Sequence, residues 1–291
     1  MVMKFAENTE KLFWPSLVAQ FTKLSHFEYN SGAVSSSAVY FPCKSELMQL
    51  GPALECLILK ADGAENAFFA VSGGRGTKPE TYNDDATPNA SFPLDPGGPI
   101  ELGKHWPRLH TLAISQFSSY RYKLARFGVN NPVLPSTLTK LSISFAKPFS
   151  VAKGSLPDCL LYLELPSSDF TVEQLSWLPS GLLALEFDEV HYELPYEDWK
   201  MPKFTEITPK LEFLSFSPAP AAACILANLP SSLRRLETHY TDVGYRWMQA
   251  LSTTHQLSLD VFKCSLSEKF SPTLELGHAL SLRTKCLICS H

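Results

Sequence analysis

The sequence predicts an α/β solenoid. The expected form is a horseshoe or arc of stacked short repeats, with a parallel β-sheet on the concave face and short helices or irregular segments on the convex face. Three observations carry this expectation. First, one segment recurs: Leu134-Pro-Ser-Thr-Leu138-Thr-Lys-Leu141-Ser-Ile143 is echoed by the stretches starting at Leu156, Leu178 and Leu229, and in shortened form by Trp106-Pro-Arg-Leu109-His-Thr-Leu112-Ala-Ile114. Second, the first Leu of each Leu-x-x-Leu-x-apolar core falls at Leu54, Leu109, Leu138, Leu160, Leu182, Leu211 and Leu233, in steps of 55, 29, 22, 22, 29 and 22. Third, a proline two to four residues upstream forbids helix there and biases its predecessor towards extended backbone.

Within each core the last two apolar residues alternate, as a half-buried strand requires. The first Leu anchors the chain as it enters the strand. One such unit buries only part of an apolar face and needs neighbours on both sides. Further copies are expected at Phe21-Thr-Lys-Leu24-Ser-His-Phe27 and, starting from Thr254, at Thr254-His-Gln-Leu257-Ser-Leu259. The chain then reads as a single domain over 1–291, with about eight to ten irregular repeats.

Between the strands the chain must return. Phe170–Trp177 predicts a short helix with Phe170, Leu175 and Leu178 inward. Ala221–Asn228 and Val243–Leu251 are further helical stretches, and Phe149–Leu156 is a shorter irregular arc. Residues 72–103 are rich in Gly, Pro, Asn, Asp and Thr and predict a mobile loop. The 55-residue step is one ordinary repeat plus that loop. A smaller excursion over His191–Thr208 interleaves Tyr192, Tyr196, Trp199 and Phe204 with acidic residues, and either anchors a partner or folds back over an apolar edge.

Composition narrows the function classes. An apolar fraction of 45% and a charged fraction of 19% are those of an ordinary folded protein. A formal charge of −4 gives no basic face for nucleic acid. No apolar run is long enough for a membrane helix, and the first residues lack the apolar stretch of a signal peptide. The seven cysteines are odd in number and irregular in spacing, which suits free thiols in a reducing compartment. Cys56 and Cys159 are expected to serve as small buried residues. The cytoplasm or the nucleus is the expected location.

The Leu-Pro-x-x-Leu-x-x-Leu-x-apolar unit resembles the leucine-rich repeat superfamily. The stretch Ser144-Phe-Ala-Lys-Pro-Phe149 to Gly154-Ser-Leu-Pro157-Asp-Cys-Leu160 is similar to the FNIP-type repeat of amoebae and related eukaryotes. The resemblance is strongest over residues 106–236. In the superfamily an Asn or Cys past the strand forms a ladder with neighbouring backbone. Phe117, Ala146, Ser168, Val190 and Ala219 stand there in this chain, so its turns are expected to rest on apolar packing and backbone bonds.

Chemistry-bearing motifs are few. Cys286-Leu-Ile-Cys289-Ser-His291 offers three ligands where a structural zinc needs four, and residues 284–291 read as a frayed tail. Gly73-Gly-Arg-Gly-Thr-Lys78 lacks the Gly-Lys-Ser/Thr of a phosphate loop. Asn89-Ala-Ser91 is a glycosylation sequon without a secretory route. Glu186 and Asp188 share a strand face, but acid–base work needs a closed pocket. No cofactor, metal or enzymatic activity is expected.

The residues between the buried leucines should line the inner face. They are Thr111, Ala113 and Ser115, then Lys140, Ser142 and Ser144, then Tyr162 and Glu164, then Ala184, Glu186 and Asp188, then Phe213, Ser215 and Ser217, then Arg235, Glu237 and His239. The expected binding stripe is Tyr162, Glu164, Glu186, Asp188, Phe213, Arg235, Glu237 and His239, receiving a protein or peptide with basic groups. The sequence therefore points to a non-enzymatic scaffold. An alternative is the substrate-recognition part of an F-box-type ubiquitin-ligase adaptor whose F-box lies outside this chain. Neither Phe13-Trp14 nor the C-terminal Cys286–Cys289 segment reads as a polar cap, so end-to-end self-association or a longer product is expected.

Overall fold

The computed structural model describes residues 2–5, 23–31, 47–61, 102–116, 134–144, 151, 153–166, 170–187, 190–191, 203–217, 225, 228–241, 259–266 and 285–290, some of them in backbone only. Eleven strands form one open sheet in chain order, every neighbouring pair parallel. They are β1 (Val2–Phe5), β2 (His26–Ser31), β3 (Cys56–Ala61), β4 (Thr111–Gln116), β5 (Lys140–Ser144), β6 (Tyr162–Leu165), β8 (Ala184–Phe187), β10 (Phe213–Phe216), β11 (Arg235–Thr241), β12 (Val261–Leu266) and β13 (Lys285–Ser290). A second small parallel pair joins β7 (Phe170–Thr171) to β9 (Val190–His191). Three one-turn helices are described: α1 (Leu102–His105), α2 (Val172–Leu175) and α3 (Phe204–Ile207). An open parallel sheet with few helices is compatible with an α/β solenoid.

The strands form where the apolar spacing expects them. Leu57, Leu112, Leu141, Leu163, Leu185, Leu214 and Leu236 occupy one register row, and all are buried. In β5 buried and half-buried residues alternate strictly. The second apolar position of the strand adds Leu59, Ile114, Ile143, Leu165, Phe187 and Phe216 to the same continuous core. Phe187 and Phe216 stack with centroids 5.7 Å apart, and Phe170 meets Phe187 edge-on at 5.5 Å. Leu102, Leu175 and Phe204 from the three helices belong to that core, which therefore lies between the sheet and the returning segments.

Backbone hydrogen bonds stack the repeats. The carbonyl of the residue just after each anchor accepts two N–H groups from the next repeat. His110 O receives Thr139 N and Lys140 N, both at 2.9 Å, and Thr139 O receives Leu161 N at 2.8 Å and Tyr162 N at 3.0 Å. The same pattern holds at Ser25, Glu55, Leu161, Leu183, Glu212 and Arg234. A carbonyl has two lone pairs, and this one uses both. Each anchor from Leu54 to Leu233 also donates its own N–H to the carbonyl three residues back, which closes a tight turn before the strand.

This spine corrects two registers. The first anchor is Leu24, followed by Phe27 and Tyr29, and not Phe21; Ser25 O accepts from Glu55 and Cys56. The late anchor is Leu259, 2% exposed, and not Thr254; Arg234 O accepts from Asp260 and Val261, and Phe262 pairs with Leu236. Apolar residues recur every few positions in both segments, so two frames satisfied the spacing, and only one extends the spine. The expected frayed tail at 284–291 is also corrected. Lys285–Ser290 is strand β13, paired along its length with β12, because the open edge of β12 supplies unpaired backbone groups.

Of the expected loop 72–103, residues 72–101 lie outside the described residues, while Leu102 is buried and opens α1. The sheet is uninterrupted across this step, since β3 pairs directly with β4. Trp106, 1% exposed, donates from Nε1 to Leu50 O at 3.2 Å and ties the two sides together. The expected helix over Phe170–Trp177 is shorter than its pattern: Phe170 and Thr171 are extended, and Thr171 and Gln174 form a capping box around α2. Phe170, Leu175 and Leu178 are buried as expected. The arc before Leu156 has no helix at its described residues, and Gly154 takes φ of 73°, a conformation that favours glycine. Val243–Leu251 lies outside the described residues, as does most of Ala221–Asn228.

Side chains also bridge the turns, contrary to the expectation of packing and backbone bonds alone. At three anchors, Leu138, Leu160 and Leu233, the residue before the anchor donates to two carbonyls of the previous repeat. Thr137 Oγ1 reaches Pro107 O at 3.1 Å and Leu109 O at 2.9 Å. Cys159 Sγ reaches Ser136 O at 2.8 Å and Leu138 O at 3.2 Å, so it is a half-exposed donor and not a buried apolar filler. Ser232 Oγ reaches Pro209 O at 2.9 Å and Leu211 O at 2.8 Å. Gly181 holds the equivalent place and has no side chain to donate. A Cβ there would sit 3.8 Å from Asp158 O, in ordinary contact.

Ser232→Ala should cost about 1 kcal/mol, the usual worth of such bonds. Gly181→Ser should be more stable than Gly181→Ala by about 0.5–1.5 kcal/mol, the alanine variant controlling for lost unfolded-state freedom. Denaturant melts of the three variants check this. A silent Ser232→Ala together with equal melts at position 181 would remove the ladder from the account.

Candidate functional site

The sheet face opposite the core is built by register. One row runs His26, Cys56, Thr111, Lys140, Tyr162, Ala184, Phe213, Arg235 and Val261 across neighbouring strands. The next row, two residues along, runs Glu28, Ile58, Ala113, Ser142, Glu164, Glu186, Ser215 and Glu237. The strand period of two sends both rows away from the leucines. Of the expected stripe, Tyr162, Glu164, Glu186, Phe213, Arg235 and Glu237 therefore share one face. Asp188 lies outside the described residues, and for His239 only the backbone, in β11, is described.

Exposure along this face is uneven. Tyr162 is 40% exposed and is the single exposed large hydrophobic among the described residues. Phe213 is half-buried. Ala184 is 8% exposed, Ser215 1% and Glu237 8%, so the stripe is not the uniformly solvated surface that alternation alone suggests.

Its charges are largely matched within the face. Lys140 Nζ meets Glu164 Oε1 at 2.7 Å across adjacent strands, and lies 6.0 Å from the centroid of the Tyr162 ring. Arg235 donates from Nε to Glu237 Oε1 at 2.7 Å along its own strand, and pairs with the same carboxylate through Nη2. The Arg235 guanidinium also stands 5.0 Å over the Phe213 ring. Each aromatic ring thus carries a cation, and each cation carries a carboxylate. The two pairs differ in burial. The side chains of Lys140 and Glu164 are 37% and 29% exposed, whereas Glu237 retains 11%.

The N-terminal end of the face was missed by sequence reasoning, because the first repeat was placed three residues early. His26 and Glu28 lie there, with Nε2 and Oε2 at 3.8 Å, and His26 Nε2 is buried without a hydrogen-bond partner. The alternation of Phe27 and Tyr29 was the available signal. Tyr29 itself faces the core, and burial pushes its phenol up to about 12. Lys140 was placed on the face from sequence but not in the binding stripe. The diagonal pairing with Glu164 depends on cross-strand register, which no local pattern encodes.

Of the aromatic–acidic excursion, Phe204 is fully buried in the core and is not a partner anchor. Tyr192, Tyr196 and Trp199 lie outside the described residues. Cys286 to Cys289 run in extended backbone, not in a turn that could gather both onto one ion. Among the described residues no group of three His, Cys, Asp or Glu side chains is placed to hold a metal, and no helix is long and apolar enough to cross a membrane.

Removing one cation from each pair should expose the difference in burial. Arg235→Ala leaves a nearly buried carboxylate without its guanidinium and should cost about 1–3 kcal/mol. Lys140→Ala breaks a half-exposed pair and should cost less than about 1 kcal/mol. Paired urea melts measure both; equal losses would mean that Glu237 is not held in the low-water setting described. The chain matches no family model, no curated protein and no solved structure.

Proposed function

We propose that this chain is a non-enzymatic interaction scaffold of the leucine-rich repeat kind, acting inside the cell, and that it receives a protein or peptide on the sheet face opposite the core. The observation that carries this reading is the row Lys140, Tyr162, Ala184, Phe213 and Arg235, which sets two aromatic rings on five adjacent strands of one sheet. Tyrosine and arginine with apolar neighbours are frequent anchors of protein interfaces. A rigid sheet holds them without the ordering cost that a loop incurs on binding.

The ion pairs change what the partner meets. Glu164 and Glu237 already hold cations from the same face, so the surface is a preorganised aromatic and charged patch and not an open row of four carboxylates. Affinity should then come chiefly from the rings, with the charges setting orientation.

Proximity labelling in cells followed by pull-down with purified protein provides the test. Tyr162→Ala/Phe213→Ala should lose recovered partners about tenfold or more, a loss of about 1.4 kcal/mol or greater. Glu206→Ala, on the exposed side of α3, should retain them. Equal recovery of every partner by both variants would overturn the face as the binding surface.

A further inference from the structure

We propose that a second copy of this chain docks edge to edge, its β1 adding to the outer edge of β13 as one more parallel strand. The inference goes beyond the binding face and does not depend on it. β1 and β13 are the outer strands of the sheet, and among the described residues each pairs with one neighbour only. An outer strand keeps a row of unpaired N–H and C=O groups, which template further pairing unless something blunts them. The usual protections are missing from β13. Lys285-Cys-Leu-Ile-Cys-Ser290 is six residues long, holds no proline and carries its one charge at the first position. It pairs with β12 along its whole length without a register shift. β1 carries one charge, Lys4, in register with Glu28 of β2.

Register supplies the complement. Met3 and Phe5 are in register with Phe27 and Tyr29, both buried in the core. Cys286 and Ile288 are in register with Phe262 and Cys264, which continue the rows of the buried Leu236 and Thr238. Laying β1 of one copy on β13 of another, in the register of the internal steps, sets Met3 beside Cys286 and Phe5 beside Ile288. Both core rows then run on with apolar residues, and a stacked core of this kind needs cover at each end. Lysines are kept apart: Lys285 falls beside Val2, and Lys4 beside Leu287, so no like charges stand directly opposite. The added step is parallel, like every step already in the sheet. A two-fold pairing of β13 with β13 would be antiparallel and would leave the rows at Met3 and Phe5 uncovered. The head-to-tail contact covers both edges, and such a contact repeats from copy to copy.

The backbone shows where to block each edge. Lys140, Tyr162, Ala184, Phe213, Arg235 and Val261, each first in its strand on the exposed face, donate their N–H back to the preceding repeat. Backbone groups alternate sides along a strand, so core-row residues such as Ile288 turn theirs towards the next strand, and face-row residues such as Lys4 towards the previous one. Proline at either position removes an outer-edge donor and spares the ladder to β12 or β2. Sedimentation velocity of the purified chain in reducing buffer, over a concentration series, is the test. Ile288→Pro and Lys4→Pro are compared with Ile288→Ala and Lys4→Ala, which keep the N–H, each first shown by melting to be folded. The wild type should grow with concentration past twice the mass of one chain. Each proline variant alone should stay monomeric where its alanine counterpart associates. An equimolar mixture of the two proline variants should form one-to-one pairs and stop there, since each keeps the edge that the other has lost. A wild type that is monomeric at every concentration, alanine variants as impaired as the proline ones, self-pairing by either proline variant, or a mixture that stays monomeric would overturn the inference.

Discussion

A carbonyl oxygen with two acceptor sites sets the geometry of this protein. From Ser25 to Arg234, among the described residues, the residue after the anchor leucine turns its C=O towards the next repeat and receives two successive N–H groups. That fork brings the following strand into register, so leucine meets leucine from β3 to β11. The anchor leucine makes the fork possible by filling the core and closing the turn behind it. The strand ladder, the core row and the exposed rows all follow from the same step. A face built this way is a consequence of stacking, and its side chains are free to vary.

The hydroxyl and thiol ladder reinforces the same place. Thr137, Cys159 and Ser232 each tie a turn to the one before it, one residue ahead of the anchor. Three different residue types do the work of one donor, which is why no single letter betrays it in the sequence. An asparagine ladder past the strand would have been visible; a mixed ladder ahead of it was not. The ladder is partial: Gly181, like Ala53, has no side-chain donor at that place, and there the backbone fork alone makes the step.

The central repeats were legible because their evidence was redundant. Leu138, Leu160 and Leu182 combine an upstream proline, a 22-residue step and two alternating apolar positions, and all are fully buried. The ends were less legible because one of those signals was missing. Around Phe21 and Thr254 no proline marks the turn, and leucines and aromatics recur densely enough to satisfy two frames. The Cys286–Cys289 segment was misread because its edge pairing is a tertiary effect: a short β-prone run becomes a strand when a neighbour offers it an edge. For the face, parity identified which side chains share it. Parity could not reveal that Lys140 closes on Glu164 or Arg235 on Glu237, since those contacts depend on strand register and on rotamer. The aromatic pair Tyr162 and Phe213 was identifiable from sequence; the cations over it were not.

The forked carbonyl spine is tested most directly by residue-resolved amide hydrogen exchange. The account predicts that the paired amides of Thr139 and Lys140, Leu161 and Tyr162, Leu183 and Ala184, and Arg234 and Arg235 are protected to a similar degree, although several belong to exposed or half-exposed residues. Asp260 and Val261 should be protected in the same way, because they extend the spine from Leu259. Exchange of these amides at rates close to those of an unstructured chain, while the strand centres stay protected, would contradict it.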